Sequence, residues 1–475
     1  MWSKALPVLA LVASIFATPL PKADAPIMHE FRSNIVDGSL SYVNNSGVCE
    51  TTAGVHTMSG YVSVGTTQSY WFWFFEARTA PSTAPLVLWF NGGPGCSSMI
   101  GLFQENGPCT VNSDGKTTTL NPNSWNNVAN TLYIDQPIGT GFSHGTDPAT
   151  GTESAAAALW TMLQTLFESP EFSTYQTREL IIATESYGGH YGPAFVSYFN
   201  SQNTLITAGS LSGVKITVTA LMINNGWIDP AIQYLGYINY AVTGGGYGAL
   251  VSSSAIKAAN TSYYKSGGCL SQIEACYAAS TSVAQTSASN TVCINADNYC
   301  YKNIESTCIG NQDVYDVRQQ NPDPYPPEYY VTYLQSSTIQ TKIGAAVTYA
   351  ECPDAPYEKF ANTGDDSRTW LPQLSTLANS KMKILIWAGD ADYICNWMGG
   401  YAAVSAMSWY GSTAFANTAF TNVTVGGVAA AQVKNVDNFT FARVYGAGHE
   451  VPYYQPKVAL AFLEQVIAGE PIHSV

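Results

Sequence analysis

Apolar residues in this chain come in short bursts separated by turn formers. Gly60-Tyr-Val-Ser-Val64, Tyr70-Trp-Phe-Trp-Phe-Phe75, Pro85-Leu-Val-Leu-Trp-Phe90 and Thr131-Leu-Tyr-Ile-Asp135 are rich in aromatic and branched residues and predict strands. Leu180 to Ala183, Val218 to Ile223, Lys383 to Ala388 and Phe439 to Val444 repeat that pattern. Between them, Glu153-Ser-Ala-Ala-Ala-Ala-Leu-Trp-Thr-Met-Leu-Gln-Thr-Leu-Phe167 predicts a helix. Hairpin-like strands followed by strand–helix alternation predict an α/β fold, a mixed, mostly parallel sheet with helices on both faces. Residues 230–345 break the alternation with Gly244-Gly-Gly-Tyr-Gly248, a cluster of cysteines and Asn321-Pro-Asp-Pro-Tyr-Pro-Pro327. They read as an insertion, a lid over the functional end of the sheet. The core is then 55–229 and 346–475, preceded by an N-terminal segment, 18–54.

The candidate chemistry sits where strands end. The run Leu180-Ile-Ile-Ala183 leads into Thr184-Glu-Ser-Tyr-Gly-Gly-His190 and then a helix-compatible segment. That is the shape of a nucleophile elbow, which holds a serine in strained backbone with Oγ exposed and needs small neighbours. Gly188 fits the G-x-S-x-G pattern, and Thr184 departs from it. Ile384-Leu-Ile-Trp-Ala-Gly-Asp-Ala-Asp392 is an apolar strand ending in acids, and Val444-Tyr-Gly-Ala-Gly-His-Glu-Val-Pro452 puts a histidine in a glycine loop. The order Ser186, Asp392, His449 is that of an α/β-hydrolase triad. Of six histidines only His449 and His473 follow Asp392, and His473 is almost terminal, which leaves His449 as the base.

Composition narrows the function classes. Net charge is −14, from 33 acids and 19 bases, so the basic footprint of a nucleic-acid binder is missing. Charged residues make up 11% and hydrophobic residues 46%, as in a compact globular protein, and an acidic surface suits acidic surroundings. Met-Trp-Ser-Lys4 followed by apolar Ala5 to Phe16 reads as a signal peptide over residues 1–17. No other run approaches the roughly 20 apolar residues of a membrane span. The expectation is a soluble protein of the secretory route, secreted or vacuolar/lysosomal, with N-linked glycans at Asn44, Asn260, Asn422 and Asn438. Ten cysteines fit an oxidising compartment. Cys269, Cys276, Cys293 and Cys300 have mirror spacing, which suggests nested bridges Cys269–Cys300 and Cys276–Cys293. Zinc is disfavoured because C-x₂₋₄-C is missing, and no metal or cofactor is expected.

Several blocks together resemble the serine carboxypeptidase family, most like its fungal members. They are Asn91-Gly-Gly-Pro-Gly-Cys-Ser-Ser98, Gln136-Pro-Ile-Gly-Thr-Gly-Phe-Ser143, Glu185-Ser-Tyr-Gly-Gly-His-Tyr191, Asn224-Asn-Gly-Trp-Ile-Asp-Pro230, Gly389-Asp-Ala-Asp-Tyr-Ile-Cys-Asn-Trp397 and Gly446-Ala-Gly-His-Glu-Val-Pro452. The resemblance implies an α/β-hydrolase that releases C-terminal amino acids, with Ser186 as nucleophile, Asp392 as orienting acid and His449 as base. It favours Asp392 over Asp390, since the family's acid is the second of its G-D-x-D block. It implies an oxyanion hole at the amides of Gly93 and Tyr187, and a site for the substrate carboxylate at Asn91, Gly92, Glu105 and Glu185. Carboxyls can grip a carboxylate only by sharing protons, so cleavage at acid pH is implied as well. A Cys96–Cys352 bridge and a buried free thiol at Cys395 also follow from the resemblance. Cys49–Cys109 is a further candidate pair, and Cys308 is left over. Glu450, where some relatives carry methionine, suggests tolerance of a C-terminal Lys or Arg.

Two other classes compete. An esterase or acyltransferase on the same scaffold would not need the Asn91, Glu105 and Glu185 set. A catalytically dead binding protein would not need an intact triad. A metallo-carboxypeptidase is excluded by the absence of H-x-x-E and H-E-x-x-H.

Overall fold

The computed structural model describes residues 26–280, 285–321 and 326–475, so the segment read as a signal peptide lies outside the described residues. At its centre six parallel strands run in the order Asn130–Ile134, Leu86–Phe90, Leu180–Glu185, Ala220–Asn224, Lys383–Gly389 and Phe439–Val444. Every residue of the first four is buried, which explains why they read as continuous apolar runs. Antiparallel strands extend the sheet on both sides. Gln68–Phe75, Thr57–Val64, Gly38–Asn44 and Met28–Arg32 follow one another beyond Asn130–Ile134, and Val428–Val436 and Thr421–Val425 lie beyond Phe439–Val444.

Strand alternation divides the interior into two cores. Ile182 packs with Leu159, Leu163 and Phe195 from the helices Thr152–Glu168 and Gly188–Thr207 on one face. Ile181 and Ala183 face the other way, towards Trp89, Trp387 and Phe462 of the helix Pro456–Ile467. With helices on both faces, the carboxyl ends of the parallel strands are left as the open rim where an α/β sheet binds its ligands.

Between Ala220–Asn224 and Lys383–Gly389 the chain leaves the sheet and builds helices. Asp229 caps the first of them, Pro230–Thr243, by accepting from Ile232 N, with Pro230 preset for its first turn. Helices Cys269–Ala279 and Ser287–Cys300 are stapled to each other by the bridges Cys269–Cys300 and Cys276–Cys293. Cys96–Cys352 ties the loop after Leu86–Phe90 to the far part of this excursion, and Cys49 is bonded to Cys109. Cys308 and Cys395 are free and buried.

The sequons differ in setting. Asn260 and Asn422 are exposed and Asn44 is half-buried. Asn438 is the most enclosed of the four. It is 8% exposed, and the amide nitrogen that would carry a glycan donates to the carbonyls of Ala378 and Met382. Asn438→Gln should therefore leave the glycosidase-sensitive mass of the protein unchanged and cost about 1–3 kcal/mol of stability. Asn260→Gln should remove one glycan's mass, read on a gel before and after deglycosylation.

Candidate active site

The strand Leu180–Glu185 ends in an abrupt turn. Ser186 has φ 61°, the left-handed region that costs a non-glycine residue about 1–3 kcal/mol, and the helix Gly188–Thr207 begins two residues later. Ser186 N donates to Asn224 O at 3.0 Å, while Gly189 N and Trp227 N both donate to Ser186 O at 2.9 Å. The glycines are required sterically, since a Cβ at Gly189 would lie 2.4 Å from Trp227 O. Thr184, the departure from the motif, has a use here. Its hydroxyl donates to Gly188 O at 2.9 Å and braces the turn.

Asp392 and His449 follow the next strands of the rim. His449 Nδ1 lies 3.1 Å from Asp392 Oδ2, with Asp392 wholly buried. Asn225 Nδ2 donates to the same oxygen at 2.6 Å and Cys395 N at 3.1 Å, while Ile394 N donates to Oδ1 at 3.2 Å. Burial pushes the His449 imidazole down, but the Asp392 charge and hydrogen bond outweigh it and leave the pKa above its ordinary value. Asp390 is occupied elsewhere, accepting from Tyr247 OH at 2.7 Å and from Gly446 N at 2.9 Å, and so anchors the histidine loop. Cys395 stays a thiol, because burial and then the Asp392 charge push its pKa well up.

Ser186 and Gly93 border two cavities. One, of about 230 Å³, also has Asn91, Gly92, Glu185, His449 and Glu450 in its walls. The other, of about 470 Å³, is lined with Tyr187, Trp227, Tyr234, Tyr237 and Asp366 among others. A substrate whose scissile carbonyl sits at Ser186 would place its leaving residue in the first and its acyl residue in the second. Gly92 touches the elbow so closely that a Cβ would lie 2.4 Å from Tyr187 N. Gly93 has φ 108°, open to glycine alone. Among the described residues neither the Gly93 nor the Tyr187 amide donates to a protein acceptor.

An unusual charge arrangement borders the smaller cavity: Asn91 and Glu185 are in its wall, and Glu105, which is not, connects to it through Asn91. Asn91 Nδ2 donates to Glu105 Oε1 at 3.0 Å and to Glu185 Oε1 at 3.1 Å. Trp89 Nε1 and Gly101 N fix the Asn91 oxygen at 2.7 and 2.9 Å, which dictates this orientation of its amide. Asn224 Nδ2 donates to Glu185 Oε2 at 2.8 Å and to His449 O at 3.0 Å. Glu105 Oε2 faces no protein donor, and no lysine or arginine is among the lining residues. Burial, then the charges of Glu185 and Glu450, push Glu105 well above the usual carboxylate range. Glu450 is pushed up in the same way, by burial and then by Glu185, Glu351 and Glu328. At acid pH it therefore carries a proton.

The larger cavity is walled by tyrosines and three further carboxyls. Burial and then the charges of Asp297 and Glu305 hold Asp366 well up, and burial followed by Asp297 pushes Glu305 to about 8. Burial also raises Asp297, which accepts from Tyr234 OH at 3.3 Å. The sequence reading assigned no role to Asn224, Asn225, Asp297, Glu305 or Asp366. The two asparagines stood in a quoted block, but their partners belong to other strands.

Sheet order, rim and elbow define an α/β-hydrolase fold. Residues 48–469 match the family model described as serine carboxypeptidase, and the chain belongs to that family. It is 50% identical over 436 residues to Carboxypeptidase S1 of Penicillium janthinellum, covering 91% of this chain and 100% of that one. It is 34% identical over 545 residues to Carboxypeptidase S1 homolog A of Arthroderma otae, covering 98% of this chain and 81% of the relative. Among solved structures it resembles Kex1(delta)p, a prohormone-processing carboxypeptidase from Saccharomyces cerevisiae, with TM-score 0.71 and 24% identity over 89% of this chain and 92% of that one.

The raised carboxyls make stability pH-dependent. In the unfolded chain they titrate near pH 4, whereas Glu105, Glu450, Asp366 and Glu305 hold their protons to higher pH in the fold. The folded state then binds more protons, so stability falls as pH rises from about 4 through the folded values. The thermal midpoint should drop by several degrees between pH 5 and pH 8. A midpoint that rises over that interval would contradict the buried acids.

Proposed function

We propose that this protein releases C-terminal amino acids from peptides at acid pH through an acyl-enzyme on Ser186. The observation that carries this reading is the buried Asn91–Glu105–Glu185 cluster beside Ser186, which lacks any cation. A substrate carboxylate entering that cavity can be bound by the Gly92 amide and the proton on Glu105, with Asn91 Nδ2 exchanging one of its two bonds to Glu105 and Glu185 for the substrate. Neutral hydrolases of esters have no use for such a device.

The chemistry follows from the geometry. His449, oriented by Asp392 through Nδ1, takes the Ser186 proton on Nε2 as Oγ bonds to the scissile carbonyl carbon. The amides of Gly93 and Tyr187 receive the developing oxyanion, and each such donor is worth about 3–4 kcal/mol. His449 then protonates the leaving nitrogen, the C–N bond breaks, and the free amino acid departs. Water attacks the remaining ester and returns the proton to Ser186 by the same route. The acyl-side cavity, with Trp227, Tyr234 and Tyr237 in its walls, suits aromatic and apolar residues while its carboxyls are protonated. Four disulfides support passage through the secretory route to the exterior or the vacuole, and no described helix is long and apolar enough to cross a membrane.

Two titrations oppose one another. His449 must be neutral to act as base, and Glu105 must keep its proton beside Glu185 to hold a carboxylate. Peptide cleavage should therefore peak at acid pH and fall by about tenfold per pH unit once Glu105 ionises, whereas C-terminal amides and esters should keep rising to a plateau. Blocked dipeptides with and without a C-terminal amide, assayed from pH 4 to 8 with Ser186→Ala as control, test this. Flat peptidase rates beside falling esterase rates would defeat the shared-proton reading, and ester turnover without amino-acid release would point to an esterase. In the same assay, Lys relative to Phe at the penultimate position should gain as pH rises and Asp297, Glu305 and Asp366 ionise. A ratio independent of pH would remove those carboxyls from substrate contact.

A further inference from the structure

The nucleophile's neighbour, Tyr187, contributes its backbone amide to the oxyanion hole proposed above, yet its side chain points away to a different anchor. Its phenol donates to Asp365 Oδ2 at 2.6 Å. The ring is stacked on His190 with centroids 4.6 Å apart and meets the edges of Tyr191 and Phe360 at 5.3 and 6.0 Å. Asp365 is itself tightly held. Thr152 N donates to Oδ2 at 3.0 Å, the Thr152 hydroxyl donates to the same oxygen, and Gln285 Nε2 donates to Oδ1 at 3.0 Å. Gly151 has to be glycine, since a Cβ there would lie 2.6 Å from Asp365 Oδ1.

We infer that Asp365 is a positioning residue for the oxyanion hole, holding the Tyr187 amide in register with Ser186 through the Tyr187 hydroxyl. This rests on the reading of Tyr187 N as an oxyanion donor. Asp365 is wholly buried, and no cation lies within ion-pair distance of it among the described residues. A buried carboxylate satisfied only by neutral donors is a costly choice for stability. Its two oxygens gather the start of the helix Thr152–Glu168, the elbow, and the short turn Asp365–Ser367 of the excursion. Burial, followed by the charges of Asp365 and Asp366, keeps the Tyr187 phenol protonated and hence a donor. The peptide between Ser186 and Tyr187 is strained at its serine end, so without an anchor on the tyrosine side the amide is free to tilt. Small misplacements at a reacting centre cost catalysis steeply.

The test compares wild type with Tyr187→Phe, Asp365→Asn and the double variant. Tyr187→Phe keeps the backbone amide and the ring, and so remains informative where Asp365→Asn fails to fold. The expected result is kcat on a blocked dipeptide about tenfold lower in each single variant, KM within about twofold, and a double variant no worse than the poorer single. A blocked amino aldehyde, whose adduct with Ser186 fills the oxyanion hole, should bind about tenfold more weakly, while a blocked amino-acid product should bind as in wild type. Wild-type kcat and aldehyde affinity in Tyr187→Phe would overturn the inference. So would an equal loss for aldehyde and product that tracks a lowered Tm, since that is what a merely structural role produces. A wild type without turnover on any dipeptide or ester would instead remove the functional reading beneath it.

Discussion

Ser186 occupies left-handed backbone, and most of what surrounds it exists to keep it there. The register of three parallel strands does the first part. Glu185 lies beside Asn224, and Asn224 beside Trp387, so the elbow's neighbour is the end of a strand that carries two asparagines in succession. Asn224 O receives the Ser186 amide. The Asn224 side chain reaches Glu185 and the His449 carbonyl, and Asn225, itself at φ 41°, reaches Asp392. One strand terminus thereby braces the nucleophile, the base loop and the orienting acid together. Gly92 closes the other side, since nothing larger fits against Tyr187 N.

That frame permits an electrostatic arrangement which would otherwise be unstable. Carboxyls crowd both cavities without a lysine or arginine in either wall. Burial and mutual repulsion push Glu105, Glu450, Glu305 and Asp366 above the usual carboxylate range, so they hold protons at acid pH and the cost of ionising them falls on the folded state. On the proposed function, stability and carboxylate binding would share one cause and decline together as pH rises. His449 would act in the opposite sense, because its neutral form is the proposed proton acceptor. The pH window in which both conditions hold is set by the packing of the two cavities, not by any single side chain.

The excursion from the sheet is part of this machinery as well as a cover. Its bridges Cys269–Cys300 and Cys276–Cys293 hold two helices together, and the second carries Asp297 into the acyl-side cavity. Cys96–Cys352 fastens the loop bearing Gly93 to the same excursion. Asp365 completes the connection by receiving the Tyr187 phenol. Covering, lining and aligning the site are thus done by one stretch of chain.

The sequence by itself determined the parallel core and the order of the reacting residues. Strands such as Leu86–Phe90 and Leu180–Glu185 are buried on both faces, so they read as apolar runs up to the polar end of the second, Thr184 and Glu185, at the rim. The elbow, the acid and the histidine each occupy a strand end with its own local signature. Two strands of the antiparallel flanks escaped the reading. Met28–Arg32 is largely exposed, and Val428–Val436 is rich in alanine, so neither carries an apolar run. Nor does a sequon show that the Asn438 amide nitrogen is bonded inside the fold. Only tertiary structure could choose Asn225 as the partner of Asp392, give Asp365 to Tyr187, or put protons on Glu105 and Glu450. Those outcomes depend on which groups become neighbours and how much water is removed around them, and neither property belongs to a residue until distant segments have packed together.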